Sequence, residues 1–300
     1  MDGMRAAAWV GLAVALIAMV SGCASPASGR TASGQLSVVV GENFWGNLAA
    51  QVGGRYVSVV SLISSPDADP HLFEPSTRDE LDVATAGVVI VNGAKYDPFM
   101  DRLLAAAPSS HRRVVRVSAV LHVTGSDPNP HLWYDTPALP TVVDAFATAF
   151  SNADPSHAAA YRRGAAETIA SLQPLEHAVD GLAHADAGDP VAYTERVPGL
   201  LLAAAHLRVL TPVGFARSVE DGTEPSPADV AAMRALITGR RIDALLYNEQ
   251  ATSSVTAQLQ SLARTAGIPV VAVTETMPTD ATFESWQLGQ VEALTAALQR

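Results

Sequence analysis

Short runs of β-branched residues alternate with longer helix-forming stretches along most of this chain. Residues 36–40 and 88–91 are two such runs, and each is followed by a stretch with the apolar spacing of a helix. A chain that alternates strand and helix in this way forms a parallel sheet covered by helices. The predicted fold class is therefore α/β. Ser76, with Asp79 three residues later, also predicts a capped helix start.

A long stretch without strand character divides this alternation. Residues 137–184 are rich in helix formers, with breaks expected at Asp154-Pro155 and at Pro174, and the alternation then resumes. We predict two lobes, each a mostly parallel sheet flanked by helices, joined by a long helical spine with a cleft between them. The N-terminal α/β lobe spans residues 36–136, the connecting helices 137–184 and the C-terminal α/β lobe 185–300. In the last lobe, strands are expected at 209–213 and 242–249.

The amino terminus has the pattern of a secretion signal. A basic residue at Arg5 precedes an apolar run, residues 6–20, which is short for a membrane span and ends at Val-Ser-Gly-Cys. That ending resembles a bacterial lipobox, so we expect residues 1–23 to be a lipoprotein signal peptide, with Cys23 lipidated and holding the protein to the outer face of the cell membrane. Cys23 is the only cysteine, which excludes a zinc site built from several thiolates. Residues 24–35, rich in Ser, Ala and Gly, predict a flexible tether.

The charge of the chain argues against nucleic acid as a partner. Nineteen Lys and Arg residues against thirty Asp and Glu residues give a net charge of −11, and the basic residues form no stripe. The long-range field therefore repels phosphate backbones. The sequence also has no Walker-type phosphate loop, so no nucleotide site is predicted.

Two histidines occur in nearly identical proline motifs. His71 lies in Asp69-Pro70-His71-Leu72, and His131 lies in Asn129-Pro130-His131-Leu132. Proline fixes its own φ and restricts the residue before it, so each imidazole is presented from a stiffened loop. The repetition indicates a pair of metal ligands.

Three glutamates end predicted strands of the second lobe. These are Glu195, Glu249 and Glu275. In open parallel sheets, ligands bind beyond the carboxyl ends of the strands, so all three are expected to face the cleft. Histidine nitrogens from the first lobe and carboxylate oxygens from the second form a mixed ligand set that suits zinc or manganese.

At these residues the chain resembles the substrate-binding lipoproteins of bacterial zinc/manganese ABC importers, the TroA-like or ZnuA-like group. The resemblance rests on residues 69–75 and 129–135, on Glu195, on Glu224-Pro225-Ser226-Pro227 and on Glu275. It implies an extracytoplasmic, monomeric binding protein, not an enzyme, that carries zinc or manganese as transported ligand without an organic cofactor. It also implies a membrane permease, driven by an ATPase on another chain, as the partner.

The same resemblance implies a set of ligands. His71 and His131 are the N-terminal ligands, Glu195 is the third and Glu275 is the fourth, with Glu249 open as the alternative fourth ligand or as a hydrogen-bond partner of a ligand. Many zinc-selective relatives use a third histidine and a His-rich loop, and neither occurs here. That pattern is nearer to the manganese-binding members, but ligand type does not settle the ion, because affinity rises from Mn²⁺ to Zn²⁺ at such a site.

Two other classes of function fit parts of the pattern. Two histidines and a carboxylate around an open position also make a catalytic zinc site, although the His-Glu-x-x-His helix motif is absent. A surface adhesin or structural lipoprotein with a stabilising metal is the other alternative. Reversible binding, hydrolytic turnover and metal-dependent folding distinguish the three.

Overall fold

The computed structural model describes residues 29–66 and 73–299. Its strands are β1 Leu36–Glu42, β2 Val57–Ile63, β3 Val88–Val91, β4 Arg113–Arg116, β5 Pro190–Tyr193, β6 Arg208–Val209, β7 Ala244–Asn248 and β8 Val270–Val273. Its helices are α1 Asn43–Gly53, α2 Thr77–Thr85, α3 Pro98–Ala106, α4 Val117–Val120, α5 Leu139–Ala153, α6 Ala158–Ala185, α7 Gly199–Ala204, α8 Val213–Glu220, α9 Pro227–Thr238, α10 Ser254–Ala266 and α11 Phe283–Leu298. None of the helices in these two ranges is both long enough and apolar enough to cross a membrane.

The strands form two four-stranded sheets, one in each lobe. The strand orders are β2-β1-β3-β4 and β6-β5-β7-β8, and every neighbouring pair is parallel. The α/β class and the two-lobed arrangement predicted from the sequence are confirmed. Parallel strands of one sheet end at the same edge, so the residues that follow β1 and β3 lie at one edge of the first sheet, and those that follow β5, β7 and β8 lie at one edge of the second.

Helix α6 is the spine that joins the lobes. Its 28 residues correspond to about 42 Å, and it packs against α1, α5 and α11. One apolar core runs through both lobes and includes Val38 of β1, Leu172 of α6 and Leu246 of β7. The lobes therefore share a core, and movement of one against the other is restricted.

The predicted break at Pro174 does not occur. Pro174 lies inside α6, whereas the break before it is present as a short 3₁₀ turn, Pro155–His157. A proline inside a helix removes one backbone hydrogen bond and costs about 3 kcal/mol. Leu172 and Leu175 on either side of it are fully buried, and their packing offsets that cost.

Two predicted strands of the second lobe differ from the structure. The strand expected at 209–213 is only two residues long, β6, and Val213 instead begins α8 after Pro212. The strand expected at 242–249 is β7, which ends at Asn248. The first difference arises because β6 is an edge strand that pairs with β5 alone, so its apolar residues have few partners to extend the pairing.

The residues just before β1 are attached to the folded domain, although the sequence predicts a flexible tether there. Arg30 binds the buried carboxylate of Asp154 at 2.7 Å, and Gly29 forms a bridge with Ala86. The ion pair and the bridge order residues 29–35, a segment whose composition alone favours flexibility. The predicted signal peptide, Cys23 and the first part of the predicted tether lie outside the described residues.

Candidate metal centre

His131 is held at the cleft by the end of β3. The carbonyl of Pro130, immediately before it, accepts a hydrogen bond from Asn92 Nδ2 at 2.9 Å. Asn92 is itself fixed, because Trp45 Nε1 donates to its Oδ1 at 3.1 Å and its backbone N–H donates to Asp97 at 2.7 Å. His131 is completely buried. The proline loop therefore presents the imidazole from a fixed backbone.

Glu195 and Glu275 lie two residues beyond the ends of β5 and β8. Both are 1% exposed, which is unusual for a carboxylate without a cationic or hydrogen-bonding partner. Asn248, the last residue of β7, is a hydrogen-bonding partner of both: its Nδ2 donates to Glu195 Oε2 at 2.7 Å and to Glu275 Oε1 at 2.8 Å. The amide at the end of β7 thus holds side by side two carboxylates that follow the strands on either side of it, β5 and β8.

The imidazole of the first lobe meets these carboxylates of the second. His131 Nε2 lies 3.6 Å from Glu275 Oε2, and one candidate ligand atom from each of His131, Glu195 and Glu275 lies within 4.8 Å of the others. Ligands at about 2.0 to 2.2 Å from one ion are separated by roughly 3 to 4 Å. Their spacing is therefore close to that of a single ion's ligands, and no other such group of three occurs among the residues that the structure describes.

Tyr96 orients one of the carboxylates. Its hydroxyl donates to Glu275 Oε2 at 3.0 Å. Burial raises the pKa of Tyr96 well above its ordinary value, and the neighbouring Glu275 carboxylate raises it further. The phenol therefore stays protonated and remains a donor at neutral pH.

Aromatic side chains enclose the imidazole. The rings of Tyr96 and Trp133 meet that of His131 edge-on, with centroids 5.7 and 5.3 Å away, and Trp133 stacks on Phe44 at 4.0 Å. All four rings are buried. They limit rotation of His131 and shield it from water, which strengthens electrostatic interactions at the site.

The structure brings some of the predicted ligands together and not others. His131, Glu195 and Glu275 come together, whereas Glu249 is exposed and does not belong to this group. His71 lies outside the described residues. Sequence reasoning missed Tyr96 and Asn248. The signal for Asn248 was its place directly before the last residue of a predicted strand, and Tyr96 gave no signal.

The site has the chemistry of a cation site. One imidazole nitrogen and two carboxylates are gathered in a buried volume, and Nε2 of His131 has no hydrogen-bond partner within the described ranges. A buried imidazole nitrogen with its lone pair free, beside two acidic side chains, suits a divalent first-row ion.

The chain that forms this arrangement also matches a known family. Residues 38–297 match the family described as ZnuA, zinc-uptake complex component A, periplasmic. The chain belongs to the ZnuA family. This confirms the family resemblance predicted from the two proline-histidine motifs and the strand-end glutamates.

Known relatives of this ZnuA-family chain include lipoproteins. It is 29% identical over 163 residues to the manganese-binding lipoprotein MntA of Bacillus subtilis. This match covers 52% of this chain and 53% of that protein. It is also 29% identical over 166 residues to a putative metal-binding protein of Treponema pallidum, with 48% of this chain and 51% of that protein covered. The chain spans about half the length of the curated relatives that it matches.

Solved structures share the fold over nearly the whole domain. The Mn²⁺ complex of the binding protein FpvC from Pseudomonas aeruginosa superimposes with a TM-score of 0.75 at 21% identity, covering 88% of this chain and 98% of FpvC. The periplasmic zinc-binding protein TroA of Treponema pallidum gives a TM-score of 0.75 at 18% identity, covering 88% of this chain and 99% of TroA. At these identities the likeness establishes the two-lobed ZnuA-family fold.

Proposed function

We propose that this protein captures a divalent transition metal, zinc or manganese, outside the cytoplasm and delivers it to an ABC-type permease. The observation that carries the proposal is the convergence of His131 from one lobe with Glu195 and Glu275 from the other. Ligands from both lobes make the bound ion a bridge between them, as capture in a cleft requires. Two comparisons support the proposal: the chain belongs to a family described as a zinc-uptake component, and a manganese-binding lipoprotein is among its relatives.

We propose His71 as the fourth ligand. It repeats the motif that presents His131, and the described chain leads toward the site: the carbonyl of Pro66 accepts a hydrogen bond from Thr276 Oγ1 at 3.0 Å. Thr276 directly follows Glu275, so the segment that carries His71 departs from beside this ligand. Two imidazoles and two carboxylates give the mixed ligand set expected for zinc or manganese.

Delivery to a permease requires a position at the membrane. Lipidation of Cys23 would keep the protein at the outer face of the cell membrane, where it loads the permease, while an ATPase on another chain supplies the energy. The ion is cargo, so it has to be released. Because α6 and the shared core restrict hinge motion, we expect release by small lobe shifts and loop rearrangement.

Competition titration of the chain without residues 1–23 tests the proposal. Zinc and manganese should each bind reversibly with one ion per chain, and His131→Ala and His71→Ala should each lower the affinity at least about a hundredfold, because a direct ligand is lost. Glu249→Ala is the matched control and should bind as the wild type does, since Glu249 is exposed. Wild-type affinity in His131→Ala, or loss of binding in Glu249→Ala, would contradict the proposal.

A further inference from the structure

One side chain outside the proposed ligand set connects His131 to the opposite lobe. Asn129 Oδ1 lies 3.1 Å from the backbone N of His131 and 2.8 Å from its ring Nδ1. Asn129 Nδ2 donates to the backbone carbonyl of Arg196 at 2.9 Å. Arg196 is the residue after Glu195, so one amide contacts the loops that carry a proposed ligand from each lobe.

The orientation of this amide follows from its backbone partners. The N–H of His131 can only donate, so the atom facing it must be the amide oxygen, and the carbonyl of Arg196 can only accept, so the atom facing it must be the amide nitrogen. Asn129 Oδ1 therefore faces His131 Nδ1. Because that oxygen only accepts, Nδ1 carries the proton and Nε2 of the neutral imidazole carries the lone pair. Nε2 is the nitrogen on the Glu275 side.

The backbone around Arg196 leaves room for this amide. A Cβ atom at Gly199, the first residue of α7, would lie 2.8 Å from Asn129 Nδ2, closer than such contacts allow. A side chain at position 199 would push the amide away from the Arg196 carbonyl. Gly199 thus provides the space for the bridge without forming a bond itself.

We propose that Asn129 is a positioning residue with two roles in metal binding. Its oxygen fixes the His131 tautomer that leaves Nε2 free for the ion, and its nitrogen ties that histidine to the loop of Glu195, so that ligands from the two lobes are set together. The first proline motif has Asp69 in the matching place. An aspartate at 129 would keep the first role and lose the second, because a carboxylate oxygen cannot donate to the Arg196 carbonyl. The proposal rests on the proposed function only where it concerns the bound ion.

The first role is tested on the metal-free protein. Long-range proton–nitrogen NMR correlations distinguish the two neutral imidazole tautomers, and the His131 resonance is identified by its loss in His131→Asn. Wild type and Asn129→Asp should hold the proton on Nδ1, whereas Asn129→Ala should populate both tautomers. A wild-type His131 protonated on Nε2, or an unchanged tautomer in Asn129→Ala, overturns the proposal. This readout stands even if the chain binds no metal, an outcome that would defeat the proposed function alone.

The second role is tested by metal release in stopped flow after mixing with excess chelator. Asn129→Asp and Gly199→Ala should each release the ion about fivefold faster, the effect of losing one hydrogen bond. Asn129→Ala should bind about ten- to a hundredfold more weakly, the range for groups that orient metal ligands. The controls are Asn152→Asp on an exposed face of α5 and Gly181→Ala, where an added Cβ meets nothing within 4 Å. Release from Asn129→Asp and Gly199→Ala at the wild-type rate overturns the coupling.

Discussion

Glu195 and Glu275 both accept a hydrogen bond from the same atom, Nδ2 of Asn248, at 2.7 and 2.8 Å. The orientation of this amide is fixed, since the backbone N–H of Gln250 donates to Asn248 Oδ1 at 3.0 Å. Each proton of the NH₂ group can serve one carboxylate. The metal-free site therefore keeps two buried acidic groups together through one neutral side chain.

Asn248→Ala should destabilise the metal-free protein more than the metal-bound one. Without the amide the two carboxylates lose a buried donor, which costs about 1 to 3 kcal/mol, and a bound cation restores their stabilisation. Urea unfolding with chelator and with excess zinc measures both values. Asn152→Ala, on the exposed face of α5, is the control. An equal loss of stability with and without metal would show that Asn248 does not act through the carboxylates.

Tyr96→Phe should lower metal affinity by about tenfold. The phenol orients Glu275 through a 3.0 Å hydrogen bond, and losses of groups that orient ligands typically cost ten- to a hundredfold. The ring remains, so packing against His131 is preserved. Competition titration measures the change. Tyr56→Phe removes a hydroxyl bonded to Arg55 at the surface and should have no effect. A Tyr96→Phe affinity equal to that of wild type would contradict the role assigned to the hydroxyl.

Asp127→Asn should speed metal release about two- to fivefold at low salt. Asp127 of the first lobe binds Arg217 at 2.6 Å and Arg196 at 3.1 Å across the cleft, and the bond from Arg217 holds the pKa of Asp127 below its usual range. Exposed pairs of this kind are weak and screened by salt. The difference from wild type should therefore vanish near 1 M salt.

A matched variant separates this effect from general loss of an ion pair. Asp101 binds Arg116 within the first lobe at 2.5 Å, so Asp101→Asn breaks an exposed pair that does not span the cleft. Its release rate should equal that of wild type at every salt concentration. Equal acceleration by both variants would show that the contact across the cleft has no special effect on release.

Glu42→Gln should stabilise the protein at pH 8 relative to wild type. Glu42 is fully buried, and its carboxylate oxygens have no hydrogen-bond partner in the described parts of the chain. Burial raises the pKa of Glu42 well above its ordinary value, and the nearby Asp97 raises it further. The folded state then binds more protons than the unfolded state above that ordinary value, so stability falls as the pH rises.

The pH dependence of this difference is the measurement. Urea unfolding at pH 5 and pH 8 should show that Glu42→Gln gains stability over wild type as the pH rises, because glutamine stays neutral. Burial also raises the pKa of Asp97 to about 6, and this lowers the stability of wild type and of Glu42→Gln alike as the pH rises. The exposed Glu167→Gln on α6 should show no such gain. A Glu42→Gln protein that is less stable than wild type at pH 8 contradicts the assignment of a buried, protonated carboxyl.

Local patterns predicted the regular elements well where several signals agree. The strand Val88–Val91 lies where the sequence places it, and Ser76 and Asp79 form the predicted capping box at the start of α2. Each of these combines an apolar pattern with a start or stop signal. The run predicted as a strand at 209–213 contains Pro212, which disfavours continued strand pairing and is typical of edge strands, and the observed strand ends at Val209.

The site was predictable only where residues repeat or end strands. The repeated motif pointed to His131, and strand ends pointed to Glu195 and Glu275. Asn248 and Glu249 could not be distinguished, because neighbouring strand residues face opposite sides and the four residues before them in β7 are all buried and apolar. The strand has no alternation of polar and apolar residues that would show whether the side chain of Asn248 or that of Glu249 faces the site.

Anomalous diffraction from crystals grown with manganese or zinc tests the central claim most directly. One strong peak should lie within bonding distance, about 2.0 to 2.3 Å, of His131 Nε2 and of carboxylate oxygens of Glu195 and Glu275, with His71 completing the ligands. A peak bound elsewhere on the chain, or an ion held by side chains of one lobe only, would contradict the account.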